Sequence, residues 1–90
     1  MRLLEAIELI MNELESAQKQ HPLFPTDPIH AVGIMAEEAG EATQAAHDFT
    51  YGGKHADKLQ KEIIQTGAMA VRNLINFHHF KANKSPQVEG

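Results

Sequence analysis

Residues 37–41 read Glu37-Glu38-Ala39-Gly40-Glu41, an E-E-x-x-E cluster set in an otherwise apolar run, and Glu62 stands alone inside a second apolar run. Carboxylates placed where a helix should bury itself are costly unless something compensates their charge. A divalent cation would compensate it. Glu38 and Glu41 are three apart and share one helical face, and Glu37 lies four before Glu41 on its adjoining edge, so all three are expected to converge on one small volume. Glu62 and Gln65 are likewise three apart, and antiparallel packing would turn them toward the first cluster. Hard oxygen ligands from facing helices suit magnesium (Mg2+), or manganese in its place, which keep several waters and accept phosphate oxygens. The plainer alternative is a solvated charged face.

The surrounding sequence predicts an all-α chain. Over residues 2–20, Leu3, Ile7, Ile10, Leu14 and Ala17 recur at three- and four-residue intervals with Glu5, Glu8, Asn12 and Lys19 between them, the pattern of an amphipathic helix. The stretch from His21 to Pro28 carries three prolines, which remove backbone donors and disfavour helix in the preceding residue, so an ordered loop is expected there. Asp27 and Pro28 form an N-cap and first-turn pair for a second helix, predicted from Ile29 to Phe49, ahead of the reversal at Tyr51-Gly52-Gly53-Lys54. A third helix is predicted from Ala56 to Phe80. The domain is expected to span 1–81, with 82–90 as a loose tail that has lost the apolar spacing and contains Ser85-Pro86.

The second and third helices carry apolar residues around most of their circumference, more than one amphipathic helix can cover. The expected cover is a second copy of the chain, making an antiparallel four-helix core across a dimer with the first helices flanking it. Gly33, Gly40, Gly67 and Ala70 would allow close backbone approach there; the alternative is that these glycines merely weaken their helices.

Ninety residues bound the chain to one small domain with a modest core. The absence of cysteine excludes disulfides and thiolate metal sites, and no stretch is long and apolar enough for a signal or membrane span, so a cytoplasmic location is the expectation. Eight Lys plus Arg against twelve Asp plus Glu, with no basic block, argues against duplex nucleic acid as a partner. No Glu-x-x-His pair of a di-iron bundle is present, nor a phosphate-cradling Gly-rich loop or a Gly-x-Ser-x-Gly elbow. Of the histidines, His78 and His79 are adjacent and are expected to point apart on a helix, while His47 and His55 read as surface residues at the Gly turn. His30 opens the second helix two turns before Glu37, near the mouth of a metal site. For anions there remain Lys54, Lys58, Lys61 and Arg72, the last in an apolar stretch and expected to be partly buried.

On these residues the chain resembles the MazG-like, all-α nucleoside triphosphate pyrophosphohydrolases. Their pattern is E-E-x-x-E, a spacer, then E-x-x-D; here Glu37, Glu38 and Glu41 fit the first half, twenty residues intervene, and Glu62 opens the second. The proline-bearing loop, the Gly turn and Glu62-Ile63-Ile64-Gln65-Thr66-Gly67-Ala68-Met69-Ala70-Val71-Arg72 extend the resemblance over about residues 1–80. The departure is Gln65, where the pattern has Asp. A glutamine still offers a carbonyl oxygen to a metal but lacks the charge and cannot act as a base.

The resemblance implies hydrolysis of a nucleoside triphosphate to the monophosphate and pyrophosphate. Metal would be held by Glu38, Glu41, Glu62 and Gln65, and Glu37 would orient or deprotonate the attacking water. Lys54 or Arg72 would contact the pyrophosphate, and helix one with the Pro loop would form a base pocket, Phe24 stacking and Asn12 making edge contacts. The chain would act as a homodimer or a dimer of dimers. The rival expectation is a non-catalytic dimeric helical module with a degenerate metal site, which Gln65 favours and the triple-Glu cluster opposes.

Overall fold

The computed structural model describes residues 1–82, in which three α-helices, α1 (Leu3–Gln20), α2 (Pro28–Gly52) and α3 (Ala56–Ile75), are followed by one 3-10 turn, Phe77–His79. No strand occurs among the described residues, as the periodicity predicts. The predicted tail lies, from residue 83 onward, outside the described residues.

Local chemistry sets most of the boundaries. The Glu5 side chain accepts from the Arg2 N–H at 3.2 Å at the start of α1, and the helix stops at Gln20, two residues before Pro22. Asp27 caps α2, its carboxylate accepting from the Ile29 N–H at 3.1 Å with Pro28 in the first turn. Two predicted ends are corrected. α2 continues past Phe49 to Gly52, because Gly52 stays helical and Gly53, at φ +62°, makes the left-handed stop with its N–H on Phe49 O at 2.9 Å.

α3 ends at Ile75 rather than Phe80. Asn76 leaves the helix with both its backbone N–H (3.1 Å) and its side-chain amide (2.9 Å) on Arg72 O, an alternative to further helix. The chain then turns back so that the Lys81 N–H meets Thr26 O at 3.0 Å. In the 3-10 turn the His78 and His79 rings lie 3.9 Å apart, so they do not point away from each other as a continuing α-helix would require.

α3 packs against both other helices, antiparallel to α2 and parallel to α1. Asn73 Nδ2 donates to Ala31 O of α2 at 3.3 Å, while Arg72 reaches the carbonyls of Ala17 and His21 at the end of α1. Small residues dominate the buried apolar set: among the described residues it comprises Ala31, Ala45, Ala68 and one larger side chain, Met69. At Gly67 a Cβ would stand 2.9 Å from Ile10 Cδ1, so the absence of a side chain there sets the approach of α1. Gly33 and Gly40 have no such neighbour among the described residues. No large side chain among the described residues is fully buried, and Leu3, Leu4, Ile29, Ile63 and Leu74 are exposed. No helix among the described residues is long and apolar enough to cross a membrane.

Candidate functional site

Antiparallel packing of α2 on α3 brings Glu38 and Glu41 opposite Glu62, and one carboxylate oxygen of each lies within 4.8 Å of the other two. Glu62 is only 8 % exposed, Glu38 is half-buried and Glu41 is exposed. The donors are all hard oxygens. Ligands of an octahedral magnesium ion stand about 3 Å apart when adjacent and about 4.2 Å apart when opposite, so three carboxylates sharing one ion include at least two adjacent pairs and have to close by up to about 2 Å. Glu37 stays outside this group, exposed on the outer side of α2. The sequence-based expectation of convergence thus holds for Glu38 and Glu41 with Glu62, and not for Glu37.

The cluster is electrostatically strained. Glu38 is pushed above the ordinary carboxyl pKa, first by loss of solvent and then by the charges of Glu41, Glu62, Glu13 and Glu37. Glu62 is raised by burial and by a hydrogen bond and charge shared with Glu41, against a lowering by Lys58 and Lys61. Neither lysine reaches ion-pair distance; among the described residues Lys19 pairs with Glu15, and His47 Nδ1 lies 3.9 Å from Asp48 Oδ1. Gln65 answers part of the strain. With its amide nitrogen turned to the carboxylates, as hydrogen bonding requires, it donates to Glu38 Oε2 at 3.1 Å and to Glu62 Oε2 at 3.3 Å. In this arrangement Gln65 is a donor to the expected metal ligands, and its carbonyl faces away from them.

A cleft of about 510 Å³ opens beside the cluster, lined in three successive levels by all three helices. Counted along the helix axes, Glu13, Glu38 and Gln65 form the level farthest from the loop, and in that sense the innermost; Ala17, Ile34 and Met69 form the next; Gln20, His21, His30 and Arg72 form the level beside Leu23, Phe24 and Pro25 of the loop. Residues three or four apart on each helix make the steps, about 6 Å per level. His30 and Phe24 thus reach the cleft as the sequence suggests. Asn12 is exposed and borders other hollows, and Lys54 lines a shallow one with His47, Tyr51 and His55.

Arg72 is 4 % exposed and serves the architecture of the cleft. Its guanidinium donates to Ala17 O at 3.4 Å and to His21 O, and lies 4.7 Å over the Phe24 ring. It therefore caps the negative end of α1 and fastens the loop wall, with burial lowering its pKa.

Sequence reading missed Glu13. The signal was present, since Glu13 follows Ile10 by three and precedes Ala17 by four, on the stripe of α1 that faces α3. Comparison with family models, with curated proteins and with solved structures gave no match.

Proposed function

We propose that the chain is a metal-dependent nucleoside triphosphate pyrophosphohydrolase of the MazG-like kind, converting a nucleoside triphosphate and water to the monophosphate and pyrophosphate. The observation that carries this reading is the convergence of Glu62, buried and without a cationic partner among the described residues, on Glu38 and Glu41 at the inner end of a cleft. Uncompensated buried carboxylates cost several kcal/mol per charge at the upper end, roughly, so a divalent cation is the natural complement.

Glu38, Glu41 and Glu62 would hold magnesium or manganese, with the Gln65 amide rotating to present its carbonyl. The bound ion supplies neutralisation of phosphate oxygens, polarisation of the α-phosphate and a lower pKa for the attacking water. The chain itself positions the substrate. The apolar level at Ala17, Ile34 and Met69 takes the faces of a base, and the loop wall that Arg72 fastens shields the outer end from water. Glu37, exposed beside Glu38, remains accessible to orient a water only from outside the cleft.

A second copy completes the molecule in this reading. One protomer leaves Ile29 and Val32 of α2 and Ile63 and Leu74 of α3 exposed around a core of alanines, more than a stable monomer of this size leaves open. A homodimer, alone or paired again, would cover them.

One observation favours the non-catalytic alternative: the Gln65 amide already bridges Glu38 and Glu62 without an ion. The readings part on turnover. Nucleoside triphosphates presented with magnesium or manganese are expected to give monophosphate and pyrophosphate; no release from any of the four common bases, in ribo or deoxy form, favours the binding module.

A further inference from the structure

Glu13 is the one side chain of the innermost cleft level to which the hydrolytic reading gives no task. It is half-buried, lines the cleft beside Glu38 and Gln65, and lies outside the group of three converging ligand oxygens. No hydrogen bond or ion pair among the described residues engages its carboxylate.

An ionised carboxylate only accepts hydrogen bonds, so whatever part of a ligand faces it has to donate. Phosphate oxygens do not donate and are repelled. The next level outward, Ala17, Ile34 and Met69, about 6 Å further along the helices, is apolar and suits the faces of a base. Between the α-phosphate and the base of any nucleotide stands the sugar, whose hydroxyls are donors. A nucleotide anchored by its phosphates at Glu38, Glu41 and Glu62, with its base in the apolar level, passes its sugar between these two levels, on the side of the cleft that Glu13 lines.

Resting on the pyrophosphohydrolase reading, we propose that Glu13 is a specificity-determining residue that reads the substrate's sugar, its carboxylate accepting a hydrogen bond from a sugar hydroxyl. A hydrogen bond to a charged group then separates hydroxyl-bearing from hydroxyl-less sugars by about ten- to a hundredfold.

The test compares the full chain with Glu13→Met, which keeps a long helix-forming side chain without acceptors, and with Glu13→Ala as a second variant. Two readouts are taken on ribo, 2′-deoxy and 2′,3′-dideoxy forms: kcat/KM for triphosphates with magnesium, and Kd for the uncharged 5′-O-methyl nucleosides, whose 5′-oxygen cannot donate, on metal-free protein by NMR titration. Wild type is expected to favour a hydroxyl-bearing sugar by about ten- to a hundredfold in both. The variants are expected to lose that preference, with dideoxy binding unchanged. Equal wild-type binding of all three sugars, or an undiminished preference in both variants, overturns the proposal. So does loss of a bound magnesium ion in the variants with sugar preference intact, which would make Glu13 an ion ligand. If wild type releases no pyrophosphate yet binds nucleosides with the sugar preference, the hydrolytic reading fails and the sugar contact stands; if it binds neither nucleosides nor nucleotides, both fail.

Discussion

The Gln65 amide nitrogen stands 3.1 Å from Glu38 Oε2, and the same nitrogen reaches Glu62 Oε2 at 3.3 Å, so one neutral side chain links carboxylates from two helices. Hydrogen bonds to charged groups are worth about 1.5–3 kcal/mol. Replacing Gln65 with Asp removes the donor and adds a charge. Metal-free Gln65→Asp should therefore unfold at a lower temperature than wild type, by an amount corresponding to about 2 kcal/mol, and should bind magnesium more tightly. Calorimetric titration and melting in chelator check both; a variant as stable as wild type without metal would show that the amide bridge contributes nothing.

The raised pKa values of Glu38 and Glu62 fix the sign of a pH effect. Their folded-state values lie above 4.5 through burial first and neighbouring carboxylates second, so the folded chain binds protons more readily than the unfolded one. Their contribution is most favourable below the unfolded value and is lost as pH rises through the folded values. Without metal, the melting temperature of wild type relative to Glu62→Gln should rise on acidification from neutral pH toward the ordinary carboxyl range. With magnesium the difference should shrink or reverse, because protons and the ion compete for the same oxygens. A wild-type advantage that grows with pH in chelator contradicts this.

Excess divalent ion should stabilise wild type by mass action, about 2.7 kcal/mol at a hundred times Kd. The shift should vanish in Glu38→Gln and Glu62→Gln and persist in Glu37→Gln, which lies outside the converging group. Thermal melts with and without magnesium decide it, and an unchanged wild-type melting temperature counts against the site.

His55 adopts φ +67° at the start of α3, a left-handed conformation that glycine tolerates better. His55→Gly should stabilise the chain by about 1 kcal/mol, read in denaturant melts. A loss of stability would mean that the imidazole makes a contact outweighing the backbone strain.

A methyl at Gly40 meets no atom within 4 Å among the described residues, so on an open helix face Gly40→Ala should stabilise by about 1 kcal/mol. If a second copy packs closely on α2, the same methyl should weaken association instead. The dimer reading predicts the second outcome, measured as dissociation on dilution by light scattering; a more stable variant with unchanged mass contradicts close packing there.

Local signals were readable in the chain and distant ones were not. Asp27 and Pro28 announced the start of α2 because cap and first-turn chemistry involve neighbours only. Gly52 and Gly53 were equally able to stop that helix, and only the backbone shows Gly53 doing so. The early end of α3 depends on Asn76 folding back on Arg72 O and on Lys81 meeting Thr26, contacts that no helical periodicity encodes. Glu62 could be suspected as an isolated charge in an apolar run. Glu13 was legible only as a glutamate beside the apolar stripe of α1, and that this part of the stripe lines the cleft takes the packing of three helices to show. Lys54 was one of the few cations that the sequence offered for phosphate, yet α2 carries the Gly turn about 16 Å beyond Glu41.

Pyrophosphate release by wild type and Glu62→Gln, assayed side by side with magnesium across ribo and deoxy triphosphates, bears on the proposed chemistry with the fewest intervening assumptions. Glu62 is the most buried of the three converging carboxylates, and the amide keeps its shape while removing its charge. The account predicts release by wild type and a loss of at least about a thousandfold in Glu62→Gln, on the scale of removing several kcal/mol of charge stabilisation. Turnover undiminished in Glu62→Gln would contradict it, because the ion would then be held elsewhere or not be needed.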